Sequence, residues 1–146
     1  MPVGMIGVEN NYAPQGVEAA VTTTSTTMVF TGTGVVFTPV TSGNVEISLS
    51  AEVNNDTALD GVALNIVYAA GTALTAAGTA TAGTAILSTN LTYTAATASD
   101  NRFLGLNSFV LTGLTPKTSY TIQPTFEAVT GGTASFTQFN ITVKEL

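Results

Sequence analysis

Few residues in this 146-residue chain carry reactive chemistry, and their spacing limits what they can do. Asn54, Asn55, Asp56 and Asp60 crowd into one segment that ends at Gly61. Oxygen ligands gathered in a loop can hold Ca²⁺, but the spacing is not that of an EF-hand and no bidentate Glu follows. A plain polar turn is the favoured reading. Residues 71–85 are rich in Gly, yet no Lys-Ser/Thr pair follows the glycines and no helix opens after them, so this is no phosphate loop. Asp100 sits beside Asn101 and Arg102 without an acid–base partner; turn formation and a surface ion pair are its expected roles. Glu46 and Glu52 share one strand face but lie roughly 20 Å apart at the usual rise, too far to act as paired carboxylates. Asn55-Asp56-Thr57, Asn90-Leu91-Thr92 and Asn140-Ile141-Thr142 match the glycosylation sequon, as chance allows in a chain so rich in Thr. No catalytic, cofactor-binding or metal-ligating residue is assigned, and no cofactor is expected.

Composition extends these exclusions. There is no Cys, His or Trp, which removes a disulfide frame, the usual zinc sites and Ser–His or Cys–His catalysis. Only 8% of residues are charged, 3 basic against 9 acidic, for a net charge of −6; roughly 25% is ordinary. Three cations cannot neutralise a phosphate backbone, so no nucleic-acid partner is expected. Mean hydropathy is +0.39, but no apolar run approaches the ~18 residues of a spanning helix. The first eleven residues lack a basic region and a long apolar stretch, so they do not read as a signal peptide. The expectation is a soluble protein with no membrane partner.

The chain must therefore act through its shape. Residues 1–15 hold Pro2 and Pro14 and follow no period, and they read as an extended N-terminal arm. Met5, Ile6, Val8 and Tyr12 are the candidate partner-binding residues, because a free tail seldom keeps apolar side chains. Residues 16–146 read as one β domain. Residues 17–30 are mostly β-branched; 35–40 are short and apolar; 44–53 alternate between Val45, Ile47, Leu49, Ala51, Val53 and a polar face. Further strands are expected over 62–68, 85–93, 103–111, 120–128 and 136–143. Pro124 places the strand over 120–128 at an edge or at a bulge. Residues 69–84 are expected to form a long loop covering an edge. The sum is about eight strands and no helix. That predicts an all-β, two-sheet antiparallel β-sandwich, jelly-roll-like or immunoglobulin/fibronectin-like.

Two resemblances add to this reading. Residues 114–120, Leu-Thr-Pro-Lys-Thr-Ser-Tyr, resemble the tyrosine corner of fibronectin type III domains. Over residues 20–146 the chain resembles a group of small structural proteins of tailed bacteriophages and prophages. The likeness rests on Phe37-Thr38-Pro39, Ser42-Gly43-Asn44-Val45, residues 54–62, Tyr68 with its Gly-Thr-Ala loop, residues 109–114, Thr118-Ser119-Tyr120, residues 131–135 and Glu145-Leu146. It implies a virion component with a β-sandwich fold, often trimeric. The resemblance does not itself choose capsid, tail or fibre; the scarcity of charge points to a protein built for permanent assembly, and the function expected is a non-enzymatic capsid decoration or cement protein. Such a protein would be made in the host cytoplasm and bind the major capsid protein on the outer shell as a homotrimer. The alternatives are the knob of a fibre, spike or tail appendage that binds the host surface through residues 69–84 and 95–102, and a fibronectin-like adhesion module.

Overall fold

A computed structural model describes residues 11–12 and 20–146. Eleven strands are described: β1 (Asn11–Tyr12), β2 (Val21–Thr23), β3 (Val29–Phe30), β4 (Val35–Phe37), β5 (Val45–Asn55), β6 (Gly61–Ala70), β7 (Thr84–Ala85), β8 (Leu91–Thr94), β9 (Arg102–Leu111), β10 (Tyr120–Ala128) and β11 (Ala134–Glu145). All pair antiparallel, in two sheets. The first sheet runs β1-β11-β5-β9, with β2 beside β1 along β11; the second runs β3-β10-β6-β7, with β4 beside β3 and β8 beside β7.

The short strands are halves of interrupted lines. Merging β1 with β2, β3 with β4 and β7 with β8 leaves eight lines, the number expected. Numbered along the chain, the sheets read 1-8-3-6 and 2-7-4-5. First pairs with last, second with seventh, third with sixth and fourth with fifth. That is one long hairpin wrapped over itself, the jelly roll, and it decides against the immunoglobulin order.

The core lies between the sheets. Val45, Ile47, Leu49, Ala51 and Val53 of β5 and Ile141 and Val143 of β11 face Val62, Leu64, Ile66, Ile122 and Phe126 of the other sheet. Phe136 lies 5.7 Å from Phe126 and 5.2 Å from Phe139, ring centroid to centroid. Phe136 and Phe139 are three residues apart, so simple alternation would put them on opposite faces. Both are buried because the register of β11 against β5 shifts between Thr137 and Asn140. A second shift between Ile47 and Leu49 does the same for Leu106 and Phe109 of β9.

Three expectations about strands need correcting. Residues 17–30 do not form one strand. Between β2 and β3 the Ser25 hydroxyl bonds the N–H and carbonyl of Thr27, and the Thr23 hydroxyl takes the Ser25 N–H. Hydroxyl side chains thus replace ladder partners where the chain crosses between sheets. Pro124 lies in the centre of its sheet, at neither an edge nor a bulge of β10. It pairs with Ile66 in an unbroken ladder, and its ring nitrogen falls in the gap between β3 and β4, where no donor is needed. Its carbonyl still accepts from the Thr31 N–H and hydroxyl. Residues 85–93 are broken between β7 and β8, and the buried Asn65 fills the break. Its amide donates to the Leu87 carbonyl and to Asn90 Oδ1, and its Oδ1 accepts from the Leu87 N–H.

The Gly-Thr-Ala loop after β6 does more than cover an edge. It crosses the outer face of the second sheet, reaches the free side of β3 and returns to β6. Phe30 N–H donates to the Thr79 carbonyl and Gly78 N–H to the Phe30 carbonyl. Gln123, 2% exposed, grips the loop by accepting from Thr75 N–H and donating to its carbonyl. Ala63, Asn65, Val67, Thr121, Gln123 and Thr125 are buried on what would be a wet face. Tyr120, after the turn at residues 113–119, accepts the Thr115 N–H on its hydroxyl at 2.9 Å and stacks 6.0 Å from Phe37. The local tyrosine device is therefore present within a jelly roll.

Replacing Asn65 with Ala orphans the carbonyl of Leu87 and its N–H. The expected cost is about 2 kcal/mol, read as a lower denaturant midpoint at unchanged slope.

Candidate assembly surface

Of the four arm residues singled out, Met5, Ile6 and Val8 lie outside the described residues. Tyr12 pairs opposite Val143, and Asn11 opposite Lys144. Part of the segment 1–15 is thus held on the outer edge of the first sheet. The root of the arm lies at one end of the sandwich, because β11 ends at Glu145. That end is held firmly. The Glu145 carboxylate, 8% exposed, accepts the N–H groups of Val40, Thr41 and Ser42 at 2.6–3.1 Å and the Thr41 hydroxyl. Leu146 N–H donates to the Asn44 carbonyl.

The four sheet edges differ in how they end. The β3 side is covered by the loop, with a bridge from Val29 to Ala80. The β7/β8 side consists of strands of two and four residues. Among the described residues, the β1/β2 side consists of strands of two and three residues. Only β9, among the described residues, is a long edge: ten residues with β5 on one side and no strand on the other. Long open edges invite pairing with another chain.

The sequence of β9 fits that role. Phe103 is 71% exposed and Val110 47% exposed, on the outer side. Leu104, Leu106, Phe109 and Leu111 point inward but are only partly buried. Leu87, Leu91 and Tyr93, near the facing edge of the second sheet, are also partly buried. Together they leave an apolar seam between the two sheets at this side. Arg102 is the sole charge on the strand, and it forms an ion pair with Asp100 at 3.0 Å. The sequence signal was visible: β9 is apolar on both faces, unlike β5.

The polar cluster at the end opposite the arm root is a built turn. The Asn55 amide, 0% exposed, donates to the carbonyls of Gly61 and Gly131, and its Oδ1 accepts the Thr57 N–H. Asp56 accepts the Thr133 N–H at 2.7 Å and the Thr57 hydroxyl. These bonds, the Thr133 backbone first, hold its carboxyl below the usual carboxylate range. Gly132 has φ +68°, and a Cβ there would strike Asn55 Oδ1. Asn54 donates to Asn101. Leu59, at the tip, is 78% exposed with φ 67°, an unfavourable backbone for a branched side chain. Tyr93 donates its hydroxyl to the Asp100 carbonyl; burial, then the Asp100 charge, raises its pKa.

Against solved structures, the fold has clear counterparts. T=1 particles derived from infectious bursal virus give a TM-score of 0.56 at 10% identity, over 94% of this chain and 32% of that one. The infectious bursal disease virus Gx strain gives 0.54 at 13%, over 94% and 32%. Eiger TNF from S. frugiperda gives 0.54 at 8%, over 94% and 92%. The likeness is one of fold. This chain spans about a third of the length of the viral chains. No family model and no curated sequence matches it. Among the described residues, no helix is long and apolar enough to cross a membrane.

Two outcomes follow for the turn. Leu59→Gly relieves the positive φ and is expected to raise stability by about 0.5–1 kcal/mol, measured by denaturant unfolding. Asp56 has a lowered folded pKa, so its stabilisation is present above the ordinary value of 3.8 and is lost as pH falls through the folded value. Asp56→Asn should therefore flatten the acid limb of the stability curve.

Proposed function

We propose that this protein is a non-enzymatic virion structural protein: a capsid decoration protein that binds the outer shell as a homotrimer. The observation that carries the reading is the ten-residue open edge of β9, apolar on both faces, in a chain with 8% charged residues. A protein meant to stay monomeric blunts such an edge with charges or Pro. This one has Arg102 at the start of the strand and a register shift midway. Burial in permanent subunit contacts is the other way to manage it.

The fold likeness to virus particle chains and the resemblance to phage structural proteins favour a virion setting. The shell partner is the major capsid protein. Binding across capsomer junctions adds contact free energy where neighbouring subunits would otherwise separate under internal pressure. The wet faces suit a passive contact protein. Ser48, Ser50, Asn140 and Thr142 line a shallow groove on the outer face of the first sheet, offering hydroxyl and amide groups in place of charge.

Copy number decides the matter. Quantitative mass spectrometry of virions is expected to give the protein in hundreds of copies per particle, and light scattering of the purified protein a mass three times the 14.8 kDa of the chain. A handful of copies per virion points to an appendage and overturns the decoration reading.

A further inference from the structure

We infer that the cleft under the Gly-Thr-Ala loop is a binding site for one uncharged pyranose ring. The inference stands apart from the homotrimer reading. The cleft lies on the outer face of the second sheet and β9 borders the first, so a subunit seated on β9 does not by itself cover it.

The first argument is the hole itself. The loop touches its sheet where Gln123 grips Thr75 and where Gly78 and Thr79 meet Phe30. Beside those points it leaves a cavity of about 200 Å³. Phe30, Val67, Thr121 and Gln123, all buried, form the floor. Thr72, Ala73 and Ala82, all exposed, form the mouth. Folded chains leave few gaps larger than a water molecule, and a Leu in place of Ala73 or Ala82 would fill much of this one. A cavity of roughly 150 Å³ accepts one benzene ring, so this cleft has room for a single six-membered ring with substituents.

The second argument is the chemistry of the lining. No charged residue lines the cleft, so a charged ligand would give up its hydration without gaining a counter-ion. Phe30 and Val67 stand outside the core between the sheets and offer an apolar surface to the C–H face of a sugar. The polar part of the floor is rich in acceptors. Gln123 Oε1 takes the Thr75 N–H at 2.8 Å and keeps a second lone pair, while its amide nitrogen is spent on the carbonyls of Thr75 and Thr33. The Thr121 hydroxyl donates to the Ala69 carbonyl at 3.4 Å, which leaves its own lone pairs open. Acceptors on an uncharged floor call for a ligand that donates O–H groups. A ring with an apolar face and a hydroxyl edge meets both demands.

The test titrates the full isotope-labelled chain, followed by amide NMR shifts, with glucose, galactose, mannose and N-acetylglucosamine. Each is added as the free sugar and as its methyl glycoside. At least one is expected to shift the amides of Thr72, Thr75 and Gln123 saturably, with the β9 amides unmoved. Tighter binding of the glycoside marks a chain end as the ligand, and tighter binding of the free sugar a soluble one; either supports the site. Ala82→Leu is expected to abolish the shifts with the unfolding midpoint kept or raised. Thr121→Val should weaken binding about tenfold, the loss of one hydrogen bond. The inference is overturned if none of these sugars gives a saturable shift, if the shifts persist in Ala82→Leu, or if Thr121→Val binds unchanged. Tighter binding of glucuronate or glucosamine overturns it too.

Discussion

The structure depends on one pairing, that of the chain's opening segment with its last strand. Asn11–Tyr12 and Val21–Thr23 lie along β11, and every later pair nests inside that closure. Folding the resulting hairpin over itself sets β10 beside β3 and β4, and β5 beside β11. The same arithmetic leaves the sixth line, β9, with a neighbour on one side. An open edge is thus a consequence of the topology. What is specific to this sequence is that the edge was left long and apolar.

The breaks in the strands follow from the same economy of charge. Where a backbone ladder stops, an uncharged side chain takes over: Asn65 between β7 and β8, Ser25 between β2 and β3, Asn55 in the turn after β5. Glu145 is the exception, a nearly buried carboxylate that gathers three N–H groups. Hydrogen bonds from several backbone N–H groups to one carboxylate are charge-assisted and strong.

Much of the fold was legible because period-2 alternation survives in β5, β6 and the inner face of β10. Eight strand lines and two sheets followed from it. The misreadings came where tertiary context overrode a local rule. Pro124 reads as an edge residue by its missing donor, yet it sits mid-sheet opposite a gap that local sequence does not announce. Asn65 looks like an outward polar residue until the loop from 71 to 90 folds over it. Among the site residues, Tyr12 reads as an apolar arm residue and pairs in the sheet opposite Val143, while no local pattern marks Phe103, Val110 or Leu59 as exposed. For β9 the clue was present, since its apolar residues occupy both faces. Exposure itself is set by which line ends the sheet, and that is a property of topology.

The central claim is that β9 is covered when the protein is at work. Hydrogen exchange of the alternate β9 amides that point away from β5 measures this directly on the assembled protein. The account predicts that they exchange slowly, with protection close to that of β5, and that protection is lost on dilution to monomer. Fast exchange at those positions, with β5 still protected, would contradict it.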